Sequence, residues 1–491
     1  MALEQILNDT LPCKLLTPGN EKFEKSNGAY FTVFESSIKP AFIVQPTSVY
    51  EISTLLQALH TLLVNGEAKL AVKGTGHTPF AGSANIENGV TVDLQLLKGI
   101  VLTDDRSAVT ISVGETWDSV YGELEKHGLT VAGGRVGRVG VGGLILGGEE
   151  RATQKRTPQL IHAGGLSFYS TRHGFACDSV TDFEVVLASG KVVHANAQDN
   201  PALLVSLRGG LNNFGIVTSI TLKTISASNI WGGINYYMPG SFTQLIQATV
   251  DFVLNETDLD THLMSSTGYG MGQHIVTCCM YHTKGRENPP SLQPFTSLPD
   301  QIKDYSSLRT ATQIEFCNEL SNFTQDGVRS FYATCTIRPD VALMNELHQE
   351  FLKTLEQLKS AESFVFSLGY FPLTKALLES SKAAGGNAMD IDPSDGPLFV
   401  ILLNPTWGSP VDDVRIHQGI EELLVKFKTV ANEKGLLHRY LFTNYAYKTE
   451  AALAGYGEGS LERLRKTSEE YDPDGIFQKA VPGGFKVSGA T

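Results

Sequence analysis

The sequence predicts an α+β protein built from two parts, and three observations lead to this prediction. The chain has 491 residues, a length typical of two domains. Its first half carries glycine-rich loops between short apolar runs that have the pattern of strands. From about residue 227 onward, alternating apolar runs are separated by helical patterns, as in an antiparallel sheet with helices on one face.

The composition excludes several functional classes. The formal net charge of -13 argues against nucleic acid or an anionic membrane as the main partner. No run of about 18 apolar residues occurs, so we expect no membrane-spanning segment. Hydrophobic residues make up 42% of the chain and charged residues 19%, as in ordinary soluble proteins.

The cysteines and the N-terminus predict an intracellular protein. The six cysteines are scattered, and their spacing fits neither a metal site nor a disulfide framework, so we expect reduced thiols and no bound metal. The first nine residues lack the basic start and the apolar stretch of a secretory signal. We therefore expect a cytoplasmic or otherwise intracellular location, while the oligomeric state stays open.

The N-terminal part is predicted to alternate strands and helices after a leader formed by residues 1–37. A strand is expected at Ile43 and Val44, and the pattern S-V-Y-E at residues 48–51 is a capping box that begins a helix. Apolar residues at helical spacing predict a second helix over residues 117–124. Further strands are predicted at residues 109–113, 182–187, 191–195 and 217–222.

The central motif is the loop K-G-T-G-H-T-P-F-A-G-S-A at residues 73–84, which lies between two predicted strands. Glycines at 74, 76 and 82 allow the backbone to approach a ligand closely, and successive N–H groups in such a turn form a concavity for a phosphate. The loop matches neither the P-loop nor the G-x-G-x-x-G pattern. For His77 taken alone, a hydrogen bond to the backbone is the simpler interpretation.

A second glycine-rich segment occupies residues 133–148. Its glycine density suits a backbone that lies flat against a long planar ligand, although a set of tight turns between strands would have a similar composition. The region after residue 227 is predicted to hold a helix over residues 342–358. Residues 383–397, rich in Gly, Asp and Ser, are predicted to form a loop or a mobile lid, and their acidity indicates either a solvated loop or a functional role. Its predicted strands cover residues 234–238, 275–280, 331–337, 364–368 and 398–403.

Three further segments complete a family pattern. The chain contains G-L-S-F-Y-S-T-R-H-G-F-A-C-D from residue 165, L-R-G-G-L-N-N-F-G-I-V-T from residue 207, and a tail with Y-L-F-T-N-Y followed by Y-D-P-D-G-I-F. Together with the two glycine-rich segments they resemble, in order and over nearly the whole chain, the berberine-bridge-enzyme-like FAD-linked oxidases. That family belongs to the vanillyl-alcohol-oxidase type of fold, with a PCMH-type FAD-binding domain, and many members serve fungal secondary metabolism.

The resemblance implies a division into three regions. Residues 1–226 would form the FAD-binding domain, with a core of about 38–226, and residues 227–434 the substrate-binding domain. Residues 435–491 would be the C-terminal segment that returns to the FAD domain. In the family, the sheet of the substrate domain faces the flavin ring.

The resemblance also implies which residues bind FAD. His77 matches the histidine that is joined covalently to the flavin in this family. Some relatives carry a second link through a cysteine, and Val136 stands at that position without a thiol, so a single covalent bond through His77 is implied. The full set of implied cofactor-binding residues is Gly74, Thr75, Gly76, His77, Thr78, Gly82, Ser83, Gly134, Val136, Gly140, Gly142, Gly143, Ile216 and Asn444.

The implied chemistry is transfer of a hydride from a small molecule to the flavin, with reoxidation by dioxygen to hydrogen peroxide. The substrate would be an alcohol, an amine or a biosynthetic intermediate. Members of the family often have a tyrosine that acts as the catalytic base at the position where this chain has Phe442. If the segment is a strand, Tyr440 shares a face with Phe442 and becomes the candidate base, and Asn444 the second catalytic candidate.

Two alternatives stay open at this point. One is a dehydrogenase of the same fold that reacts poorly with dioxygen. The other is a cyclase or pseudoenzyme that retains FAD without redox turnover, which the loss of a tyrosine at Phe442 favours.

Residues 149–164 interrupt the family pattern. They are mostly polar, have no apolar periodicity, and could be either a surface loop of this protein or the product of a retained intron. We expect a variant lacking these 16 residues to bind flavin at least as well as the full chain and to oxidise substrate faster.

Overall fold

The computed structural model describes residues 2–147, 166–255, 257–323 and 326–490. The interrupting segment at 149–164 therefore lies outside the described residues. In the N-terminal part, a mixed sheet follows the order β1-β2-β4-β3, with β2, β4 and β3 parallel and β1 antiparallel to β2. Its strands are β1 (Leu15–Leu16), β2 (Phe42–Val44), β3 (Leu70–Lys73) and β4 (Val90–Asp93).

A second, antiparallel sheet of this part follows the order β5-β6-β10-β8-β9. The predicted strands at 109–113, 182–187, 191–195 and 217–222 all belong to it. A separate short pair joins β7 to β11. These strands are β5 (Ile100–Leu102), β6 (Ala108–Ser112), β7 (Leu129–Thr130), β8 (Val180–Val186), β9 (Val192–Asn196), β10 (Ile216–Lys223) and β11 (Ile225–Ser226).

The helices show that the N-terminal residues are part of the fold. The prediction of a leader ahead of the core was wrong, because α1 packs against α4 and its residue Leu7 is fully buried in the first core. The helix predicted after the capping pattern is α4. The helices of this part are α1 (Ala2–Thr10), α2 (Glu21–Gly28), α3 (Val33–Ser36), α4 (Val49–Val64), α5 (Trp117–Glu125), α6 (Val141–Leu146), α7 (Ser170–His173) and α8 (Pro201–Leu207).

The second part contains a large antiparallel sheet, as the alternating pattern predicted. Its order is β15-β12-β14-β13-β18-β19-β17-β20, with β16 paired to β19. Strand β20 lies beyond residue 434, so the sheet takes in the start of the C-terminal segment. The strands are β12 (Ile230–Tyr237), β13 (Thr261–Gly270), β14 (Gln273–His282), β15 (Arg309–Ala311), β16 (Arg329–Ser330), β17 (Ala333–Ile337), β18 (Val365–Leu373), β19 (Leu398–Trp407) and β20 (Leu437–His438).

This sheet has two buried faces, and each packs against a different layer. On β14, Cys278 and Met280 belong to the core shared with the helices, whereas Cys279 and Tyr281 belong to the core shared with the N-terminal part. Period-two alternation thus places the sheet between the helical layer and the N-terminal part. The helices of the second part are α9 (Phe242–Asn255), α10 (Gln293–Thr296), α11 (Gln313–Ser321), α12 (Val341–Leu358), α13 (Lys375–Ala383) and α14 (Asp413–Glu433).

The C-terminal segment returns to the N-terminal part. Helix α15 (Glu458–Tyr471) packs against α8, and α16 (Ile476–Lys479) follows it. The segment with Y-L-F-T-N-Y is a turn and not the expected strand, because the Tyr445 N–H donates to the Phe442 carbonyl at 2.8 Å. Among the described helices, none combines the length and the apolar character needed to cross a bilayer.

Candidate functional site

A cleft of about 850 Å³, its open side included, lies where three distant segments of the N-terminal part meet. The loop of residues 73–84, the start of α6 and the start of β10 each supply part of its wall. Six of the predicted cofactor-binding residues line it: Gly74, Thr78, Ser83, Gly142, Gly143 and Ile216. The other lining residues are Val72, Phe80, Ala84, Leu94, Val113, Leu146, Gly147, Leu211, Asn212, Gly215, Val217, Thr443, Gly484 and Phe485.

A buried carboxylate that the sequence did not reveal holds the loop in place. Glu35, at the end of the supposed leader, is fully buried. Its carboxylate accepts hydrogen bonds from the Gly82 and Ala84 N–H groups, both at 2.5 Å, and from the Ser83 hydroxyl at 3.1 Å. Hydrogen bonds to an ionised acceptor are among the stronger ones in proteins, so Glu35 fixes this turn of the loop.

A second buried charge fixes the start of the loop. Lys73 is fully buried at the end of β3, and its Nζ donates to the Ser26 carbonyl at 2.7 Å. The same Nζ lies 3.7 Å from Asp93 Oδ2, on the neighbouring parallel strand, and 4.2 Å from the centroid of the Tyr30 ring. The contacts of Lys73 with Asp93 and with the Tyr30 ring therefore fix the position at which the loop leaves the sheet.

His77 lies at the inner end of the loop with only 1% of its surface exposed. Its ring stacks on Phe31 with centroids 4.7 Å apart, and its Nε2 is 3.8 Å from the Asp326 carboxylate. Gly76 beside it has a φ of 81°, and a Cβ there would lie 2.7 Å from the Tyr30 ring, so only glycine fits. Aromatic contacts continue from Phe31 towards the second part of the molecule.

The first part of the second glycine-rich segment packs against Trp117 and Thr75, and its later part lines the cleft. A Cβ on Gly140 would lie 2.5 Å from Thr75 Oγ1, and one on Gly134 would lie 2.7 Å from the Trp117 indole nitrogen. Val136, at the position of the absent thiol, is buried in the core. Residues 141–146 form helix α6 and present Gly142 and Gly143 to the cleft, and the backbone lying flat against a ligand stays a prediction.

Arg135 joins the two halves of the molecule and was not predicted as a site residue. It is fully buried, and its Nη1 lies 2.8 Å from the His262 Nε2 and also contacts the Met264 sulfur. Its guanidinium carbon is 5.7 Å from the centroid of Phe371. Burial, together with the charge of Arg135, holds the pKa of His262 well below its usual range, so the neutral imidazole accepts from Arg135.

The structure argues against the assignment of Tyr440 as a base. The residue is fully buried, and its hydroxyl donates to the Met389 sulfur at 3.1 Å. Burial, with a contribution from Tyr456, raises the pKa of Tyr440 well above its usual range. The face argument behind this assignment required a strand, and the segment is a turn. Asn444 lies in that turn, half-buried between the cleft residue Thr443 and Tyr445.

Tyr445, the last residue of the Y-L-F-T-N-Y motif, lies in an aromatic cluster that connects this turn with the histidine. Its ring centroid is 4.9 Å from Phe442, 5.1 Å from Phe371 and 6.1 Å from Tyr332. Tyr332 in turn is 6.0 Å from Phe31, the ring on which His77 stacks. The cluster therefore extends from His77, in the loop of residues 73–84, to Phe371 on β18 of the large sheet.

Comparison with known proteins places the chain among flavoproteins. A family model described as FAD binding domain matches residues 40–156. The FAD-dependent monooxygenase tpcD of Cochliobolus heterostrophus is 32% identical over 468 residues, which covers 92% of this chain and 86% of that protein.

The chain belongs to the berberine-bridge-enzyme-like family of FAD-dependent oxidoreductases.

Solved structures show the same fold for this oxidoreductase. The carbohydrate oxidase of Microdochium nivale has a TM-score of 0.76 and 18% identity, with 98% of this chain and 100% of that one covered. The glucooligosaccharide oxidase of Acremonium strictum, described with a 6-S-cysteinyl, 8α-N1-histidyl FAD, has a TM-score of 0.75 and 17% identity, with 96% and 98% covered.

The cleft of this oxidoreductase fits FAD. Bare backbone at Gly74, Gly142 and Gly143 lines the cleft and admits a close ligand. Leu211, another cleft residue, has a φ of 64° and fills the space beside Gly147. Apolar side chains for the ring systems come from Val72, Leu94, Val113, Ile216 and Val217.

Sequence patterns do not predict several residues of the site, for different reasons. Asn212 lies inside the motif that begins at residue 207, and the glycine pair before Phe485 is a signal in the tail. Glu35 and Arg135 gave no local signal, because each acts on a segment far away in the sequence.

Proposed function

We propose that this FAD-dependent oxidoreductase takes a hydride from an alcohol, an amine or a biosynthetic intermediate, and that dioxygen reoxidises the flavin to give hydrogen peroxide. FAD, when bound, supplies the hydride acceptor. One observation carries the proposal: the FAD cleft and the aromatic cluster meet at the C-terminal turn, where Thr443 lines the cleft and Tyr445 lies among aromatic rings. A planar substrate would be held between that cluster and the flavin.

Within this proposal the chain orients the substrate and excludes water. Tyr445 and Asn444 are the groups of the turn that we assign to substrate contact. The cluster around Tyr445 is buried, and a dry site strengthens each polar contact that the substrate makes. Arg135 and His262 form a polar pair on the sheet face that borders the same cluster through Phe371.

Covalent attachment of FAD through His77 alone is part of the proposal. It is supported by the burial of His77 at the inner end of the loop, by the Asp326 carboxylate 3.8 Å from Nε2, and by the absence of a thiol at Val136. Denatured wild-type protein should keep its yellow colour, and His77→Ala should release the flavin on denaturation. Loss of all flavin from acid-precipitated wild-type protein would refute the link, and a thiol adduct would refute the claim about Val136.

A second candidate is monooxygenation, because the curated relatives such as tpcD are named FAD-dependent monooxygenases. In that reaction one oxygen atom of dioxygen enters the product. The two candidates share the cleft and the substrate side of the site, and they differ in the fate of dioxygen.

One experiment separates these functions. Candidate metabolites are screened for bleaching of the flavin without oxygen, and the hits are then turned over in ¹⁸O₂. Stoichiometric peroxide without label in the product supports the oxidase, and label in the product supports the monooxygenase. Reduction without reoxidation by dioxygen indicates a dehydrogenase, and a product formed without any flavin reduction indicates a non-redox member of the family.

A further inference from the structure

Residues 481–490, the last that the structure describes, lie across the FAD cleft, although no motif accounts for them. We call them the C-terminal strap. Val481 and Val487 are buried in the first core, and Ala490 is 8% exposed. Gly484 and Phe485, which lie between these anchors, line the cleft itself.

The strap packs directly on the loop of residues 73–84. A Cβ on Gly483 would lie 2.2 Å from the Ser83 carbonyl oxygen and 2.9 Å from that of Gly82, so the two backbones touch. The Phe485 ring meets the Phe80 ring edge to face at 5.5 Å, and both rings are cleft residues. On this side the strap forms one continuous wall with the loop.

The opposite side of the strap is bonded to the segment that precedes β10. Asn213 donates to the Phe485 carbonyl at 3.0 Å, and its side-chain oxygen accepts from the Val487 N–H at 3.3 Å. Lys486 Nζ donates to the carbonyl oxygen of Asn212 at 3.2 Å and to its side-chain oxygen at 3.1 Å. Asn212 lines the cleft, so the hydrogen bonds from Lys486 fix the position of this part of the cleft wall.

The far end of the strap is fastened to α15. Arg465 donates to the carbonyl oxygens of Val487 and Ala490. The near end follows α16, where the Leu70 N–H of β3 donates to the Ala480 carbonyl at 2.8 Å. With both ends fixed, the two residues at the cleft have a defined position.

We propose that the C-terminal strap is a retaining wall of the FAD site, in which Phe485 packs against the cofactor and Lys486 is the positioning residue for Asn212. The proposal rests on FAD binding in the cleft, and it extends the site to residues that lie outside the family motifs.

The test measures FAD affinity where the cofactor exchanges freely. In a His77→Ala background, the dissociation constant of FAD is measured by flavin fluorescence for the parent, Phe485→Ala, Lys486→Met and Lys486→Arg. Phe485→Ala and Lys486→Met should each weaken binding about tenfold or more, which is about 1.4 kcal/mol. Lys486→Arg should restore affinity to within about threefold of the parent, because it keeps N–H donors that can reach the Asn212 oxygens. The matched control is Lys466→Met on exposed α15 surface, which should leave affinity unchanged.

A second measurement does not depend on these variants. Carboxypeptidase should trim the C-terminus of the apoprotein faster than that of the FAD-loaded protein, because the cofactor packs against the strap. Thermal unfolding without FAD shows whether each variant is folded. Folded variants with the parent's affinity, or equal trimming with and without FAD, would overturn the proposal. If the parent and the wild type bind no FAD at all, the proposed function itself fails.

Discussion

At the level of single residues, the pattern around Tyr440 shows what a motif can and cannot predict. The motif correctly marked the turn near the cleft, since Thr443 lines it and Tyr445 lies in the aromatic cluster. The motif did not show in which direction each tyrosine side chain points. That direction depends on a backbone turn, and the alternation rule applies only to strands. The packing of Tyr440 against Met389 is a tertiary contact across 51 residues.

Tyr440→Phe should therefore leave the pH profile of flavin reduction unchanged. The hydroxyl is buried against a sulfur atom and its pKa is raised, so it has no proton to exchange near neutral pH. Tyr445→Phe is the contrasting variant and should slow reduction by about tenfold, or 1.4 kcal/mol. Stopped-flow absorbance at several pH values measures both. A shifted profile for Tyr440→Phe would reinstate it as the base.

Asp178 gives a prediction about stability and pH. Burial raises the pKa of this carboxyl from 3.8 to about 6, although Asn387 and the Phe175 N–H both donate to it. The folded protein therefore binds a proton more tightly than the unfolded chain. That contribution to stability is fully present below pH 3.8 and is lost as the pH rises through about 6.

The measurement compares wild type with Asp178→Asn by urea unfolding from pH 4 to pH 7. Wild type should lose about 2 kcal/mol relative to the variant over this range, because part of the contribution is already lost at pH 4. The exposed Asp304→Asn serves as the control and should show no such trend. A difference between wild type and Asp178→Asn that does not change with pH would contradict the raised pKa.

At the level of elements, the strands and helices with strong periodicity were predictable, and those without it were not. Strand β13 was missed because its sequence, T-H-L-M-S-S-T-G-Y-G, is rich in small polar residues. The structure explains how it is buried: Ser265 bonds to Thr249 at 2.7 Å, and Ser266 to Thr277 at 2.6 Å. Such paired hydroxyls satisfy each other inside the molecule, and sequence periodicity gives no sign of them.

Glu35 provides the prediction for the loop as an element. Glu35→Gln replaces one acceptor oxygen with an NH₂ group that faces N–H donors, so the turn at residues 82–84 loses at least one bond to a charged group. We expect the free energy of unfolding to fall by about 2 kcal/mol and the affinity for FAD to weaken about tenfold in the His77→Ala background. Urea unfolding and flavin fluorescence measure the two effects. The exposed Glu462→Gln is the control, and an effect no larger than that of this control would show that the loop holds its shape without Glu35.

At the level of the whole molecule, the fold class and the family could be predicted, whereas the closure of the site could not. The order of glycine-rich segments and tail motifs was sufficient to indicate an FAD-dependent oxidoreductase of this family. Closure depends on residues from both termini, Phe31 and Glu35 at one end and Phe485 at the other. These contacts span nearly the full length of the chain, and no local pattern encodes a contact at that distance.

The prediction at the scale of the whole molecule concerns Arg135, because its side chain extends from the FAD-binding part to the large sheet. Arg135→Ala removes the contacts with His262, Met264 and Phe371, and should lower the free energy of unfolding by about 2–3 kcal/mol. The control is Arg138→Ala, which removes a half-buried side chain three residues away. It should change the free energy of unfolding by less than about 0.5 kcal/mol. Equal effects of the two variants in urea unfolding would remove Arg135 as the link between the halves.

The strap has a consequence for how this protein is made. Synthesis begins at the N-terminus, and N-terminal regions fold first. Residues 481–490 leave the ribosome after every other segment that lines the cleft, so a nascent chain that stops short of them lacks one wall of the cleft. A closed flavin site therefore forms only after the strap has been synthesised. A stop codon at position 481 would yield a polypeptide that contains all the other cleft segments but has an open cleft.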